Sequence, residues 1–195
     1  FISPPSREAT VIINIQNQFF LENQGIINTS SMDRLTARMS VEQQMLDDHV
    51  ILGLNLTSTQ TNQHIIRDEL FANMLKYLPT IGIYKPDGTY FQNTQNSNYH
   101  NPVAILDNDI DDRKIGNILT NATIKVNILK GLTYDASLTY QNSEIKRNVY
   151  DKQASTLKIG SNGFAQRNEY ANRKSLFENY LTYENTFGQN KLTLL

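Results

Sequence analysis

Six residues at positions 107–112, reading DNDIDD, place four carboxylates within one short stretch of the chain. Clustered carboxylate oxygens are ligands that a hard cation such as calcium prefers. A calcium loop of the EF-hand type also needs glycine at its sixth position and glutamate at its twelfth, and Asp112 and Ile118 occupy those positions here. We therefore expect a solvated loop at 107–112 and no metal site.

The three histidines are the other candidates for metal binding or acid–base chemistry. His49, His64 and His100 are far apart in the sequence, and no two of them have the spacing of a ligand pair. No serine lies in the Gly-x-Ser-x-Gly motif that marks many hydrolase nucleophiles. We predict no catalytic site and no cofactor, and hence a protein that is not an enzyme.

Aromatic side chains between positions 84 and 99 are candidates for a substrate-binding site rather than a catalytic one. An aromatic face provides a large apolar contact area, and tyrosine adds a polar group, so these residues are suited to stacking on sugar rings or covering peptide side chains. Ordinary packing within a loop is the alternative. The candidates for substrate binding are Tyr84, Tyr90, Phe91 and Tyr99.

The composition excludes several classes of function. With 18 basic and 19 acidic residues the formal net charge is -1, so charge draws the chain to neither nucleic acid nor an anionic membrane surface. The sequence has no apolar run of the roughly 18 residues that a transmembrane helix needs. The lack of such a run does not exclude a transmembrane β-barrel, because the apolar residues of its strands alternate with polar ones. Cysteine is absent, so there is no disulfide framework.

The clearest structural signal is a two-residue period between Ile115 and Asn148. Successive side chains of a strand point to opposite faces, so this alternation predicts two long strands. They meet at Lys130-Gly131, where glycine accepts the positive φ of a tight hairpin turn. The predicted apolar face carries Ile118, Thr120, Ala122, Ile124, Val126 and Ile128 on the first arm, and Leu132, Tyr134, Ala136, Leu138 and Tyr140 on the second.

Alternation also predicts strands at 9–20, 33–45, 49–60 and 174–187, with a seventh strand beginning near Leu192. A helix is predicted at 67–78, ended by Pro79. The predicted connections alternate in length: about a dozen residues, about two, more than about fifty, about two, over about twenty, and about four. Tight turns at one end and long loops at the other, joined by strands far longer than the usual five or six residues, are typical of outer-membrane barrels.

Several segments in this order resemble the SusC/RagA-like family of TonB-dependent outer-membrane transporters. They are LENQGI at 21–26, DRLTARMSVEQQMLDDHVILGLNLTST at 33–59, DGTY at 87–90, NPVAIL at 101–106, IGNILTNATIKVNILKGLTYDASLTY at 115–140 and LFENYLTYENTFG at 176–188. The resemblance implies a bacterial outer-membrane barrel of about 22 strands around an N-terminal plug. It also implies a SusD-like surface lipoprotein as partner, uptake of glycans or peptides, and energy supplied by the TonB-ExbB-ExbD complex.

Residues 1–195 would form about seven all-β antiparallel strands of that barrel. The plug and the N-terminal domains have no counterpart in the sequence, so we expect a partial chain. One strand face would contact outer-membrane lipid, and the other would line the lumen or contact the plug. The lumen- or plug-facing residues would be Arg38, Glu42, Asn121, Lys125 and Asp135.

Two other interpretations stay open. The first is a soluble or surface-attached all-β binding module, similar to an adhesin or a lectin, whose apolar faces pack on one another. The second is an outer-membrane hydrolase, which has a barrel but needs a serine and a histidine paired inside it. Behaviour without detergent would separate the first from a membrane barrel, and substitution of the histidines would test the second.

Overall fold

A computed structural model shows seven strands in one antiparallel sheet, in which each strand pairs with its neighbours in sequence. The structure describes residues 10–46, 48–92, 100–158 and 160–195. The first six strands have 15 to 24 residues each, which confirms the predicted all-β fold of long strands. The strands are β1 (Thr10–Gln24), β2 (Ser31–Met45), β3 (Val50–His64), β4 (Asp109–Leu129), β5 (Leu132–Asp151), β6 (Phe164–Phe187) and β7 (Asn190–Leu194).

The strand register joins the apolar positions into one continuous face. Ala122 of β4 pairs with Leu54 of β3 and with Leu138 of β5, and Leu138 pairs in turn with Phe177 of β6. Leu138 and Phe177 are 51% and 61% exposed, so no other layer of the described residues covers this face.

Short turns lie at one end of the sheet and longer connections at the other. The turns are 46–49, 130–131 and 188–189, and the longer connections are 25–30, 65–108 and 152–163. This alternation confirms the prediction, but each long connection is shorter than predicted because the strands continue into polar sequence. Strand pairing depends on backbone hydrogen bonds, which polar side chains do not interrupt.

The turn between β4 and β5 requires the glycine that the sequence places there. Gly131 has a φ of 82°, a value that residues with a Cβ rarely adopt. A Cβ at this position would also lie only 2.1 Å from the carbonyl oxygen of Glu184. The close approach brings the amide of Glu184 to the Gly131 carbonyl oxygen, with an N···O distance of 2.7 Å.

Two helices lie in the connection between β3 and β4. The first, α1 (Asp68–Lys76), was predicted, whereas the second, α2 (Pro102–Asn108), has only seven residues and is too short to show a helical period. On α1, Leu70 is fully buried but Leu75 is 90% exposed, so only part of its apolar stripe is packed, on the side where α1 contacts α2. In the described part of the chain, no helix is both long and apolar enough to cross a membrane.

Candidate functional site

Buried side chains in the described part of the chain gather where the long connections meet the sheet. We call this region, residues 67–91, 100–112 and 147–156, the loop end. Its apolar core is small, and the buried polar residues outnumber the buried apolar ones. The buried apolar residues are Leu70, Ala104, Ile105 and Val149, and the buried polar ones include Asn73, Asn101, Asn108, Asp109, Asp111, Asp151, Ser155 and Thr156.

Asn101 joins the parts of the loop end. Its side-chain oxygen accepts hydrogen bonds from the backbone amides of Val103 (3.0 Å) and Ala104 (3.4 Å), which caps α2. Its amide nitrogen donates to the carbonyl oxygens of Ile83 (2.7 Å) and Phe91 (3.3 Å). One side chain that is 1% exposed therefore fixes both the start of a helix and the base of a small hairpin.

That hairpin, residues 83–91, carries three of the four aromatic residues predicted to bind substrate. The Tyr84 and Tyr90 rings lie 5.4 Å apart between centroids at 35°, and the Phe91 amide donates to the Ile83 carbonyl oxygen. The structure therefore brings these three residues together, whereas Tyr99 lies outside the described residues. Their role in substrate binding stays a prediction.

A carboxylate of α2 holds the Tyr90 ring in place. The Tyr90 hydroxyl donates to Oδ2 of Asp107 at 2.5 Å. Because the carboxylate accepts this proton in a hydrogen bond, the bond raises the pKa of Tyr90 to about 12. The Tyr84 ring, 55% exposed, is the member of the pair that is open to a ligand.

The acidic stretch at 107–112 is not the solvated loop that we predicted. It spans the end of α2 and the first residues of β4, and Asp109 and Asp111 are 5% and 0% exposed. Asp111 accepts two hydrogen bonds from Nε of Arg147, at 2.8 and 3.1 Å, and another from Nη2. A guanidinium from β5 thus compensates a carboxylate that would be costly to bury alone.

Asp109 faces Asp151 at the end of the β4–β5 ladder. Burial raises the pKa of Asp109 to about 6, and the charge of Asp151 acts in the same direction. The Ser155 hydroxyl and the Arg67 guanidinium oppose this increase. Nη2 of Arg67 lies 3.6 Å from Oδ2 of Asp151. Within the described residues, no three acidic or histidine side chains form a group able to hold a metal ion.

The three histidines lie at different places in the fold. Nδ1 of His49 lies 2.8 Å from the Leu46 carbonyl oxygen in a turn, and Nδ1 of His64 lies 2.7 Å from Oδ1 of Asp112. His100 belongs to the loop end, where burial lowers its pKa. They therefore do not assemble into one site.

The opposite face of the sheet carries the five residues predicted to face the lumen or the plug. Lys125 and Asp135 are direct partners across β4 and β5, and Asn121 donates to the Thr139 hydroxyl at 2.9 Å. Glu42, Lys125 and Asp135 line a depression of about 370 Å³, whereas Arg38 pairs with Thr57 farther along the sheet. The structure places all five on one face, and their orientation toward a lumen stays a prediction.

Sequence reasoning missed the buried polar groups of the loop end. Asn101 precedes proline, a combination typical of a helix start, and this signal was available in NPVAIL. Extending the register of the predicted turn would have paired Asp109 with Lys152, because an irregularity between Asn127 and Leu129 shifts the observed register by one residue. Nothing in the local sequence shows that the carboxylates of the loop end are buried.

Two known proteins are similar to this chain along most of its length. The chain is 24% identical over 192 residues to TonB-dependent receptor P3 of Formosa agariphila, an alignment that covers 93% of this chain and 19% of the relative. It is 27% identical over 176 residues to TonB-dependent receptor P39 of the same organism, covering 88% of this chain and 16% of the relative. No family model matches the sequence.

Both matches support a relationship between this chain and TonB-dependent receptors. TonB-dependent receptors are outer-membrane proteins of Gram-negative bacteria, and they are transporters rather than enzymes. The chain spans less than a fifth of the length of these two relatives.

Proposed function

We propose that the chain forms part of the barrel wall of a SusC/RagA-like receptor that imports nutrients, glycans or peptides, across the outer membrane. The observation that supports this most strongly is the continuous apolar face on strands of up to 24 residues. A soluble sandwich would cover such a face with a second sheet, and none of the described residues does so. Similarity to receptors over about nine-tenths of the chain agrees with this interpretation.

In this proposal the two faces of the sheet have different surroundings. Side chains such as Ile124 and Leu138 contact lipid, and the face of Lys125 and Asp135 lines the lumen or contacts a plug. The loop end then lies on the outer side, where the Tyr84 ring is available to a sugar or to a peptide side chain. A SusD-like lipoprotein would cover this side, and the TonB-ExbB-ExbD complex would supply energy through parts of the receptor outside this chain.

A matched pair of arginine substitutions on β4 tests the assignment of the faces. Ile124 lies five residues from the end of β4, which is about 12 Å above the turn for a strand tilted by about 45°. This is close to the middle of a hydrocarbon core of about 30 Å. Ile124→Arg should therefore destabilise the folded protein in lipid vesicles by about 2 to 4 kcal/mol.

The control is Asn121→Arg, which places the same charge on the opposite face of the same strand. Its cost should be well below that of Ile124→Arg, because a polar lumen solvates arginine. The measurement is denaturant-dependent folding of the intact protein into vesicles. Equal costs would contradict the proposed orientation, and release of the wild-type protein from membranes without detergent would favour the soluble binding module.

A further inference from the structure

Two carboxyl groups are opposed at the centre of the loop end, and only one cationic side chain lies close to either of them. Asp109 and Asp151 form the last pair of the β4–β5 ladder, and directly opposed residues of antiparallel strands have Cα atoms about 4.5 to 5.5 Å apart. Their exposures are 5% and 0%. Among the described residues, none reaches any of the four carboxyl oxygens with ordinary hydrogen-bond geometry, although the Ser155 hydroxyl is close enough to lower the pKa of Asp109.

The charges around the pair do not balance if both carboxyl groups are ionised. Arg67, just before α1, brings one positive charge within 3.6 Å of Asp151. Glu69 of α1 adds a negative charge that acts on Asp109, and the Ser155 hydroxyl is neutral. The nearby Asp111 is already compensated by Arg147. Two buried carboxylates with one shared cation are costly, and a bound proton removes that cost.

We propose that the Asp109–Asp151 pair holds one proton when the loop end is packed, and that losing this proton at higher pH loosens the packing of α1, α2 and residues 152–156. A proton on Asp109 removes one of the two negative charges that are buried where α2 and β5 end. The end of α2 can then pack on the end of β5 without two opposed buried charges.

The position of the pair allows it to respond to the external medium. Asp109 lies twenty residues from the turn end of β4, a distance of about 65 Å along the strand. At a tilt of about 45° this exceeds a hydrocarbon core of about 30 Å by roughly half. The carboxyl groups therefore lie beyond the membrane in the proposed barrel.

The direction of the pH effect follows from the folded pKa of Asp109, which lies at about 6 against an ordinary value of 3.8. A group whose pKa is raised by folding stabilises the folded state in its protonated form. That contribution is complete below the ordinary pKa and is lost as the pH rises through the folded pKa. Between pH 5.0 and 7.5 the equilibrium constant for opening of the loop end should increase about tenfold.

Hydrogen exchange of the intact protein in detergent micelles, with EDTA present, measures this opening. We expect protection factors in α2 and in residues 152–156 to fall about tenfold between pH 5.0 and 7.5. Asp109→Asn should abolish most of that pH dependence, because it removes the group whose pKa is raised. Asp151→Asn removes a neighbouring charge but leaves Asp109 buried, so it should move the fall in protection to lower pH. Glu169→Gln, an exposed carboxyl group on β6, is the control and should keep the wild-type profile.

Either of two results would overturn the proposal. One is wild-type protection that does not change across this pH range. The other is an unchanged pH profile in whichever of Asp109→Asn and Asp151→Asn folds. A loss of the pH profile in Glu169→Gln would also overturn it, because the pH dependence would then come from exposed charged groups and not from the Asp109–Asp151 pair.

Discussion

The interior of the sheet and the loop end are built on different principles. In the sheet, the β4–β5 register runs without a break from the Lys114–Lys146 pair to the Asn127–Thr133 pair, and most side chains remain partly exposed. At the loop end, a few buried polar side chains each satisfy several partners. In the sheet a position needs a class of side chain, whereas at the loop end it needs one particular residue.

Among the substitutions that test this contrast, Arg147→Met should destabilise the loop end most. The substitution keeps most of the side-chain volume but leaves the fully buried Asp111 carboxylate without its guanidinium partner. Removing one partner of a buried ion pair costs about 3 to 5 kcal/mol. Because the Arg147 side chain is 38% exposed, we expect about 2 to 3 kcal/mol, measured as hydrogen exchange of α2 and of the start of β4 in the intact protein.

Lys146→Met is the matched control for that substitution. Lys146 is the adjacent residue on β5, and its ammonium lies 3.6 Å from the exposed Glu144 carboxylate. Exposed pairs contribute less than about 1 kcal/mol, so exchange should barely change. Equal effects of the two substitutions would show that charge at this end of the sheet matters rather than the buried pair. The double variant Arg147→Met/Asp111→Leu should recover part of the loss, because no carboxylate is then left uncompensated.

A smaller effect is expected at Asn101. Asn101→Ala removes the cap of α2, worth about 1 kcal/mol, and leaves the carbonyl oxygens of Ile83 and Phe91 without their donor, so we expect a total of about 2 kcal/mol. Asn101→Ser keeps an acceptor for the cap, adds no buried charge and is too short to donate to the hairpin. Hydrogen exchange should then increase at residues 83–91 and much less at the start of α2. Equal release of both segments by Asn101→Ser would mean that the cap and the hairpin are not separable.

The same contrast explains which features could be predicted from the sequence. The hairpin from Ile115, its turn at Lys130-Gly131 and the continuous apolar face follow from a local two-residue period, and all three were predicted. The burial of Asp109 and Asp111 depends on residues about forty positions away in β5, which a local pattern does not contain. Hydropathy assigns an acidic run to solvent, so the prediction of a solvated loop at 107–112 was wrong.

The smallest expected effect is that of Tyr90→Phe, at the exposed edge of the loop end. The substitution keeps the ring that packs on Tyr84 and removes only the hydrogen bond to Asp107, so the cost should be at most about 1 kcal/mol. Hydrogen exchange should increase slightly at residues 83–91 and stay unchanged at α2. Tyr84→Phe, which removes a hydroxyl from the other ring of the pair, is the control. An effect of Tyr90→Phe as large as that of Asn101→Ala would show that the Tyr90–Asp107 bond, and not only Asn101, holds the hairpin on α2.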